Sequence, residues 1–297
     1  MPGCESSART SSESRTVAEA DRSAGGGARY SSVRVVTETP HPVNGLTLFE
    51  NADWQARFPG LACGVTGSAE GHDFGISGNP STGAFHESYH LLADRLGCYR
   101  VTVARQVHGK EVTRVRPGGA SGSPDRKKVC VAGTADGLVA AGTHSLLAIT
   151  VADCIPVYLV HAGSGALGLL HAGWRGAAAG ILEAGLSRLE SESGASAAAM
   201  HVHLGPGICG SCYEVGAEVL AAFGCPPGSR TVDLRDQLAA RARNRGVRED
   251  SLTVSTWCTR CRSDQFHSHR GSSGTAGRMA AYLGWLEEQP GKGDQGV

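Results

Sequence analysis

The 297-residue chain lacks several features that would assign it to a special class of protein. Aromatic residues make up only 5%, and 28 basic residues balance 28 acidic residues, so the formal net charge is zero. A balanced charge gives no sign of a surface for nucleic acid or another polyanion. No apolar run approaches the roughly 20 residues that cross a bilayer, so we expect no membrane partner.

The first residues also lack the apolar core of a secretory signal, although the chain contains ten cysteines. Disulfide scaffolds are normally small and secreted, whereas this chain is large. We therefore expect a cytoplasmic protein whose cysteines are mostly reduced thiols, some of them buried and some available to a metal ion.

Residues 1–32 are rich in Ser, Gly and Ala and contain almost no large aliphatic side chains. Such a segment cannot bury enough apolar surface to offset the entropy of ordering, so we predict a disordered tail. A transit peptide is the alternative, but such peptides are poor in acidic residues, and here acidic and basic residues are equally common. Residues 33–289 are predicted to form a single domain, with a frayed C-terminus at 290–297.

Beyond residue 32 the sequence alternates between short β-like runs and helical stretches. Strands are predicted at 33–38, 99–107, 111–117, 145–152, 155–162, 166–172, 200–206 and 251–257, and helices at 84–97, 174–190, 212–223, 233–246 and 274–289. Ser211 and Glu214 match a capping box for the third helix, and Asp233 is the predicted N-cap of the fourth. This mixture predicts one α/β domain on mixed β-sheet, with a turn-rich insertion at 117–134.

Three side chains that could bind a metal lie where apolar runs give way to polar or glycine-rich turns. They are His108 in QVHG, Cys154 in VADCIPV and His171 in HAGWRG. Two imidazoles and one thiolate are a known ligand set for a catalytic zinc whose fourth position stays open. The separations of 46 and 17 residues match no local zinc motif. From the residues alone, each side chain could therefore also have a purely structural role.

The neighbouring residues add candidate functions. Asp153 lies at a strand end beside Cys154 and is predicted to orient a ligand histidine. Arg175 begins a predicted helix, where amide groups, the helix dipole and a guanidinium together favour an anion. Arg270 in FHSHRG is a second candidate for phosphate or substrate, with an ordinary surface charge as the alternative.

Two CxxC pairs, Cys209–Cys212 and Cys258–Cys261, are further candidates for a metal. Structural zinc sites usually separate such pairs by about 15–20 residues. Here 45 residues lie between Cys212 and Cys258, which argues against a second, structural zinc. A redox role is also disfavoured, because the first pair does not lie in a thioredoxin-like arrangement.

Together these segments resemble the laccase-domain (YfiH-type) family of purine nucleoside phosphorylases, formerly known as polyphenol oxidases. The matching segments follow the family's order over about residues 61–285 and are QVHG (106–109), TADGLVA (134–140), VADCIPV (151–157), HAGWRG (171–176), GPGICGSCYEVG (205–216), Cys258-Thr259 and SHRG…GR (268–278). The chain departs from the family in GVTGSAEG (64–71), where Gly67 replaces an arginine, and in FGISGNP, which replaces an Asn-Leu-Gly segment.

The resemblance implies an αββα-type sandwich of mixed sheets and a zinc ion, with copper as an alternative, held by His108, Cys154 and His171. It implies phosphorolysis of adenosine, inosine, guanosine and methylthioadenosine, with adenosine deamination as a second activity. Purine nucleosides and phosphate are therefore the expected partners, and we expect a monomer or weak homodimer. Asp153 joins the implied catalytic set, and Arg175 and Arg270 would contact phosphate.

Three other functions stay open. A copper-dependent polyphenol oxidase suits thiolate and imidazole ligands, although a multicopper enzyme needs more closely spaced histidines than His201 and His203 provide. A hydrolase would use Cys154 as nucleophile and His171 as base. A non-enzymatic, metal-stabilised partner in cell-envelope or division processes is the third. The zinc signature of nucleic-acid deaminases is absent.

Overall fold

A computed structural model describes residues 33–43, 45–68, 72–76, 84–98, 100–115, 128–141 and 146–286. The predicted tail at 1–32 and the predicted frayed end at 290–297 lie outside these ranges, as does most of the predicted insertion.

Fourteen strands and six α-helices occur within the described ranges. The strands are β1 (Arg34–Val36), β2 (Thr39–Val43), β3 (Leu46–Glu50), β4 (Leu61–Thr66), β5 (Arg100–Arg105), β6 (Val112–Val115), β7 (Lys128–Thr134), β8 (Gly137–Ala140), β9 (Leu146–Val151), β10 (Ile155–His161), β11 (Ala166–Ala172), β12 (His201–Leu204), β13 (Leu252–Ser255) and β14 (Met279–Trp285). The helices are α1 (Ala52–Arg57), α2 (Ala84–Leu96), α3 (Trp174–Ala179), α4 (Ile181–Ser193), α5 (Ala217–Ala222) and α6 (Leu234–Asn244).

These strands form two mixed sheets. The first has the order β1-β13-β12-β10-β11-β8-β6, and the second has the order β2-β3-β4-β14-β9-β5-β7. In the first sheet β10 and β11 are antiparallel, whereas β12 and β13 are parallel. A parallel pair needs a long crossover connection, and α5 and α6 lie in the crossover between β12 and β13.

Two layers of buried side chains fix how the sheets and helices stack. One cluster joins the facing sides of the sheets, with Leu138 and Leu169 of the first sheet packed with Ile149 and Leu283 of the second. A second cluster includes Tyr89 of α2 and covers the other side of the second sheet. Helices α4 and α6 contact the first sheet. The fold is therefore the αββα-type sandwich of mixed sheets that the family resemblance implied.

The strongest local signals agree with the structure. Strands predicted at 155–162 and 166–172 correspond to β10 and β11. Helix α6 begins after Asp233, whose Oδ1 accepts the amide N–H groups of Arg235 and Asp236, as an N-cap should. The helix predicted at 174–190 is divided into α3 and α4 at Gly180, whose φ of 95° needs a glycine.

The helix predicted at 274–289 is wrong. Residues 279–285 form β14, which lies at the centre of the second sheet between β4 and β9. Six of its seven residues are buried, so the strand shows no alternation of polar and apolar positions. A continuous apolar run of this kind cannot be distinguished from a buried helix by its periodicity.

Two further predictions need correction. Helix α5, which corresponds to the helix predicted at 212–223, begins after Gly216, so Ser211 and Glu214 do not form its capping box. Glu214 instead forms an isolated β-bridge with Thr231. Strand β7 occupies the end of the segment predicted as a turn-rich insertion, where it pairs with β5.

Across the described ranges, none of the helices combines the length and apolarity that a membrane-spanning segment requires.

Candidate active site

His108, Cys154 and His171 converge in the structure. Their ligand atoms all lie within 4.8 Å of one another. The antiparallel register of β10 and β11 places Pro156 opposite His171, which brings the preceding Cys154 beside this histidine. His108 comes from the connection between β5 of the second sheet and β6 of the first. The 17- and 46-residue separations are therefore set by sheet topology and not by a local motif.

A buried carboxylate that the sequence analysis missed holds this group together. Asp136 precedes β8 and is fully buried. Its Oδ1 accepts hydrogen bonds from the His108 amide and from His171 Nδ1, both at 2.9 Å. Its Oδ2 accepts the amide N–H groups of Val107 at 3.2 Å and Gly109 at 2.7 Å. The bond to Nδ1 leaves Nε2 of His171 as the ligand nitrogen.

The hydrogen bonds keep this carboxylate ionised. Burial by itself raises the pKa of Asp136, but the hydrogen bond from His171 and those from the Gly109 and Val107 amides outweigh it and lower the pKa. The segment TADGLVA, which contributes to the family resemblance, contains this residue. An acidic residue just before an apolar strand was the available signal.

Asp153 has a different role from the predicted one. It was expected to orient a ligand histidine, but its Oδ1 accepts the Thr259 hydroxyl and its Oδ2 accepts the Arg270 amide N–H, both at 2.6 Å. Its φ of 84° turns the chain directly before Cys154. Asp153 therefore anchors the loop that carries Arg270, and Asp136 holds the histidine.

Cys154 is prepared to act as a thiolate. Burial raises the pKa of its thiol, but the charge of His171 and hydrogen bonds with His108 and His171 outweigh burial and lower it to about 6. For His171, burial alone would lower the pKa of the imidazole. The charge of Cys154 and the hydrogen bond with Asp136 outweigh burial and raise this pKa to about 9. These two shifts describe a thiolate paired with a protonated His171, and binding of a metal ion would release that proton because a ligand imidazole must be neutral.

The donor set fits zinc. Bond lengths of about 2.0–2.3 Å place the ligand atoms of a tetrahedral zinc about 3.3–3.8 Å apart. The three ligand atoms here lie within 4.8 Å of one another. His171 is buried, Cys154 is half-buried and His108 is exposed. Three protein ligands with one exposed side leave room for a fourth, exchangeable ligand, as in catalytic zinc sites.

A cavity of about 680 Å³ opens beside the three ligands, and its volume is typical of a small-molecule site. Its wall includes the predicted Arg175 and Arg270 and two further arginines, Arg105 and Arg278. Arg278 was within reach of sequence reasoning, because it ends the SHRG…GR segment. Arg105 carried no signal beyond its place at the end of a strand.

Aromatic rings position both predicted arginines. The Arg175 guanidinium carbon lies 4.4 Å from the centre of the Trp174 ring, and that of Arg270 lies 5.2 Å from the centre of the Tyr213 ring. The Arg270 side chain also donates to the Glu214 carbonyl oxygen. Both cations thus face the cavity from fixed positions.

Gly67, where the family has an arginine, lies just beyond β4. A Cβ atom at Gly67 would lie 3.0 Å from the Gln265 carbonyl oxygen and 3.1 Å from the Phe49 ring. A longer side chain at position 67 would therefore require the Gln265 turn to move. Among the described residues, the cavity is lined by other arginines and not by residue 67.

The fold and the site together define a class of protein, in which a two-sheet sandwich presents a Cys/His₂ ligand group to an arginine-lined cavity. The chain belongs to the family described as multi-copper polyphenol oxidoreductase laccase, whose model matches residues 62–286. This finding confirms the resemblance inferred from the sequence.

Several relatives carry a more specific name. The chain is 32% identical over 202 residues to the purine nucleoside phosphorylase YlmD of Geobacillus stearothermophilus, covering 64% of this chain and 73% of that protein. It is 34% identical over 201 residues to a purine nucleoside phosphorylase of Deinococcus radiodurans, covering 65% of this chain and 74% of that protein.

Solved structures agree in fold. The crystal structure of YlmD from Geobacillus stearothermophilus matches with a TM-score of 0.71 at 26% identity, covering 85% of this chain and all of that chain (100%). A Bacillus licheniformis protein, YfiH, matches with a TM-score of 0.68 at 23% identity, covering 82% of this chain and 97% of that chain, and shows the fold alone.

Gly173 provides a steric test of the ligand group. Its φ of −74° and ψ of 169° suit alanine, but a Cβ there would lie 3.0 Å from His108 Cδ2 and 3.1 Å from Cys154 Sγ. We expect Gly173→Ala to weaken metal binding on the order of tenfold, because the ligand atoms must move apart. Chelator competition, with His171→Ala as the blank, measures this affinity.

Gly216→Ala is the matched control. Gly216 is also a helix N-cap, with φ of −79° and ψ of 173°, and nothing lies within 4 Å of a Cβ built on it. This variant should bind metal as the wild type does. Equal affinity in both alanine variants would contradict the crowding that the structure places around Gly173.

The two acidic residues can be separated by one comparison. Asp136→Asn removes the carboxylate that accepts His171 Nδ1, so we expect metal affinity to fall about 10–100-fold. Asp153→Asn should leave metal affinity within a few-fold of wild type, because its bonds are to Thr259 and Arg270. The same chelator competition applies, and a larger loss in Asp153→Asn would reverse the assignment.

Proposed function

We propose that the protein is a zinc-dependent purine nucleoside phosphorylase acting on adenosine, inosine, guanosine and methylthioadenosine, with adenosine deamination as a second activity. One observation carries the proposal: the His108, Cys154 and His171 group and the two predicted phosphate-binding arginines line the same cavity. Relatives that are 32% and 34% identical to this chain over 202 and 201 aligned residues are named purine nucleoside phosphorylases, which supports nucleosides and phosphate as substrates.

The three ligand residues would hold the zinc ion, with Asp136 fixing His171 and the turn at His108. A zinc ion bound there supplies Lewis acidity and lowers the pKa of water, which is the chemistry that hydrolytic deamination at purine C6 needs. All three ligand residues line the cavity, so a nucleoside bound in the cavity would lie beside them.

In phosphorolysis a phosphate oxygen forms a bond to C1′ of the nucleoside while the C1′–N9 bond breaks and the purine leaves with the electron pair. Arg175 and Arg270 would hold phosphate through charge-assisted hydrogen bonds. Positive charge develops at C1′ as the bond breaks, so a bound phosphate dianion beside it stabilises the transition state. The hydrogen bond from the Arg270 amide to Asp153 fixes the position of the loop that carries Arg270.

Copper-dependent phenol oxidation is the alternative that the family's description favours. In the described part of the chain, however, His108 and His171 are the only histidines in a group of three or more clustered metal-binding side chains. A multicopper centre needs more imidazole ligands than this. Metal analysis of the purified protein together with a phenol-oxidation assay separates the two functions.

The central prediction concerns the products formed from adenosine and phosphate. Purified protein should convert adenosine and phosphate to adenine and ribose 1-phosphate. Deamination should add a product that contains hypoxanthine, and chromatography resolves these products. His171→Ala should contain one zinc ion fewer per chain and lose both activities, because two ligands cannot hold the ion. Full activity in this variant would refute the metal assignment, and activity that survives zinc chelation would favour the cysteine hydrolase.

Arg175 should act on phosphate and not on the metal. Loss of hydrogen bonds to a charged group costs about 1.5–3 kcal/mol, or on the order of 10–100-fold in kcat/KM for phosphate. Arg175→Ala should show this loss in steady-state kinetics while its zinc content stays that of the wild type. Arg248→Ala is the control, because Arg248 is exposed and pairs with Asp250. An unchanged phosphate dependence in Arg175→Ala would contradict the proposed contact.

A further inference from the structure

Four cysteines outside the candidate active site meet at one point. Cys209 and Cys212 lie in one turn and Cys258 and Cys261 in another, and their Sγ atoms all lie within 4.8 Å of one another. The sulfurs of Cys212 and Cys261 are 3.4 Å apart. Among the described residues, neighbours of these cysteines line the arginine-rich cavity, but none of the four does.

The sheet register explains how residues so distant in sequence converge. β12 and β13 are adjacent and parallel, with Val202 opposite Leu252. The two segments continue side by side beyond the sheet, where a parallel bridge joins Gly207 and Cys258. Each segment carries its CxxC a few residues after its strand. The 45 residues between Cys212 and Cys258 form the crossover that contains α5 and α6. This long separation, which in the sequence disfavoured a zinc site, is therefore the connection that a parallel strand pair needs.

The backbone of both turns is arranged around one sulfur. Cys258 Sγ accepts the amide N–H of Cys209 at 3.3 Å and that of Cys261 at 3.4 Å. Arg260 Nη1 donates to the Cys212 carbonyl oxygen at 2.9 Å and so connects the second turn to the first. Hydrogen bonds from amide N–H groups stabilise the negative charge of a metal-bound thiolate, so the two that Cys258 accepts suit a thiolate ligand.

We infer that Cys209, Cys212, Cys258 and Cys261 bind one structural zinc ion through four thiolates. Two CxxC turns are a common source of the Cys₄ ligand set, and closed tetrahedral coordination leaves no position for a substrate. The short separations of the sulfurs suit a single ion. An iron–sulfur cluster places its thiolates around a larger core, and so needs them further apart.

The zinc ion would stabilise the wall of the cavity. Ile208 and Tyr213, which line the cavity, directly flank the first cysteine pair. Thr259 follows Cys258, and its hydroxyl donates to Asp153. Linking the two turns through one ion therefore fixes the residues that position Asp153 and Tyr213. Removing this ion should lower the thermal midpoint of unfolding, because two loops lose their crosslink.

The test counts metal in protein purified under reducing conditions. Wild type should contain two zinc ions per chain if the proposed active-site zinc is also present, and His171→Ala should retain one, measured by elemental analysis against protein concentration. In the His171→Ala background, the double substitution Cys209→Ser and Cys261→Ser should lose that remaining ion. Cys225→Ser, at a half-buried thiol outside both ligand groups, should retain it.

Cobalt(II) gives a second readout that needs no cysteine variant. Cobalt-loaded His171→Ala should show the intense thiolate-to-cobalt charge transfer of a tetrahedral four-sulfur site, and this decides the matter if the serine variant does not fold. The inference is overturned if His171→Ala takes up neither zinc nor cobalt, if it contains iron, or if mass spectrometry finds the four thiols joined as disulfides. None of these readouts uses nucleoside turnover, so the two proposals fail separately.

Discussion

The candidate site depends on four hydrogen bonds to one buried carboxylate. Asp136 accepts three consecutive amide N–H groups around His108 and the Nδ1–H of His171. These bonds connect the loop after β5, in the second sheet, to the end of β11, in the first. Burying a carboxylate is costly unless such bonds replace its water. Here the replacement is complete enough to keep the group ionised, and the geometry of both histidines follows from it.

Close backbone packing reinforces this constraint. Gly173 and Gly176 lie at the start of α3, directly after His171. A Cβ at Gly173 would contact His108 and Cys154, and a Cβ at Gly176 would lie 2.6 Å from the Gly109 carbonyl oxygen. The glycines of HAGWRG thus let the helix approach the ligand turn, and the same helix start carries Arg175 into the cavity.

The two groups of ligands in this chain differ in a way that matches two tasks. The Cys/His₂ group has an exposed side facing a cavity rich in arginine, which suits a metal ion that meets a substrate. Among the described residues, the four cysteines do not line this cavity, and they join two loops that a bound ion would crosslink. Asp153 connects the groups, since it directly precedes Cys154 and accepts the hydroxyl of Thr259, the neighbour of Cys258.

The amino-acid sequence by itself indicated an α/β domain on mixed sheet, and it supplied the three metal-binding candidates and the two predicted phosphate-binding arginines, because each of these side chains sits in a short segment with its own chemical signal. The αββα sandwich followed from the resemblance to the family that the same segments carry. The sequence did not determine which acid holds His171, nor that two distant CxxC pairs meet. Its local pattern also predicted a helix where β14 forms. Those features depend on strand register and on burial from both sides, and neither is encoded in local spacing. Only the packing of two sheets decides them, since pairing between strands brings together residues that the chain separates by tens of positions.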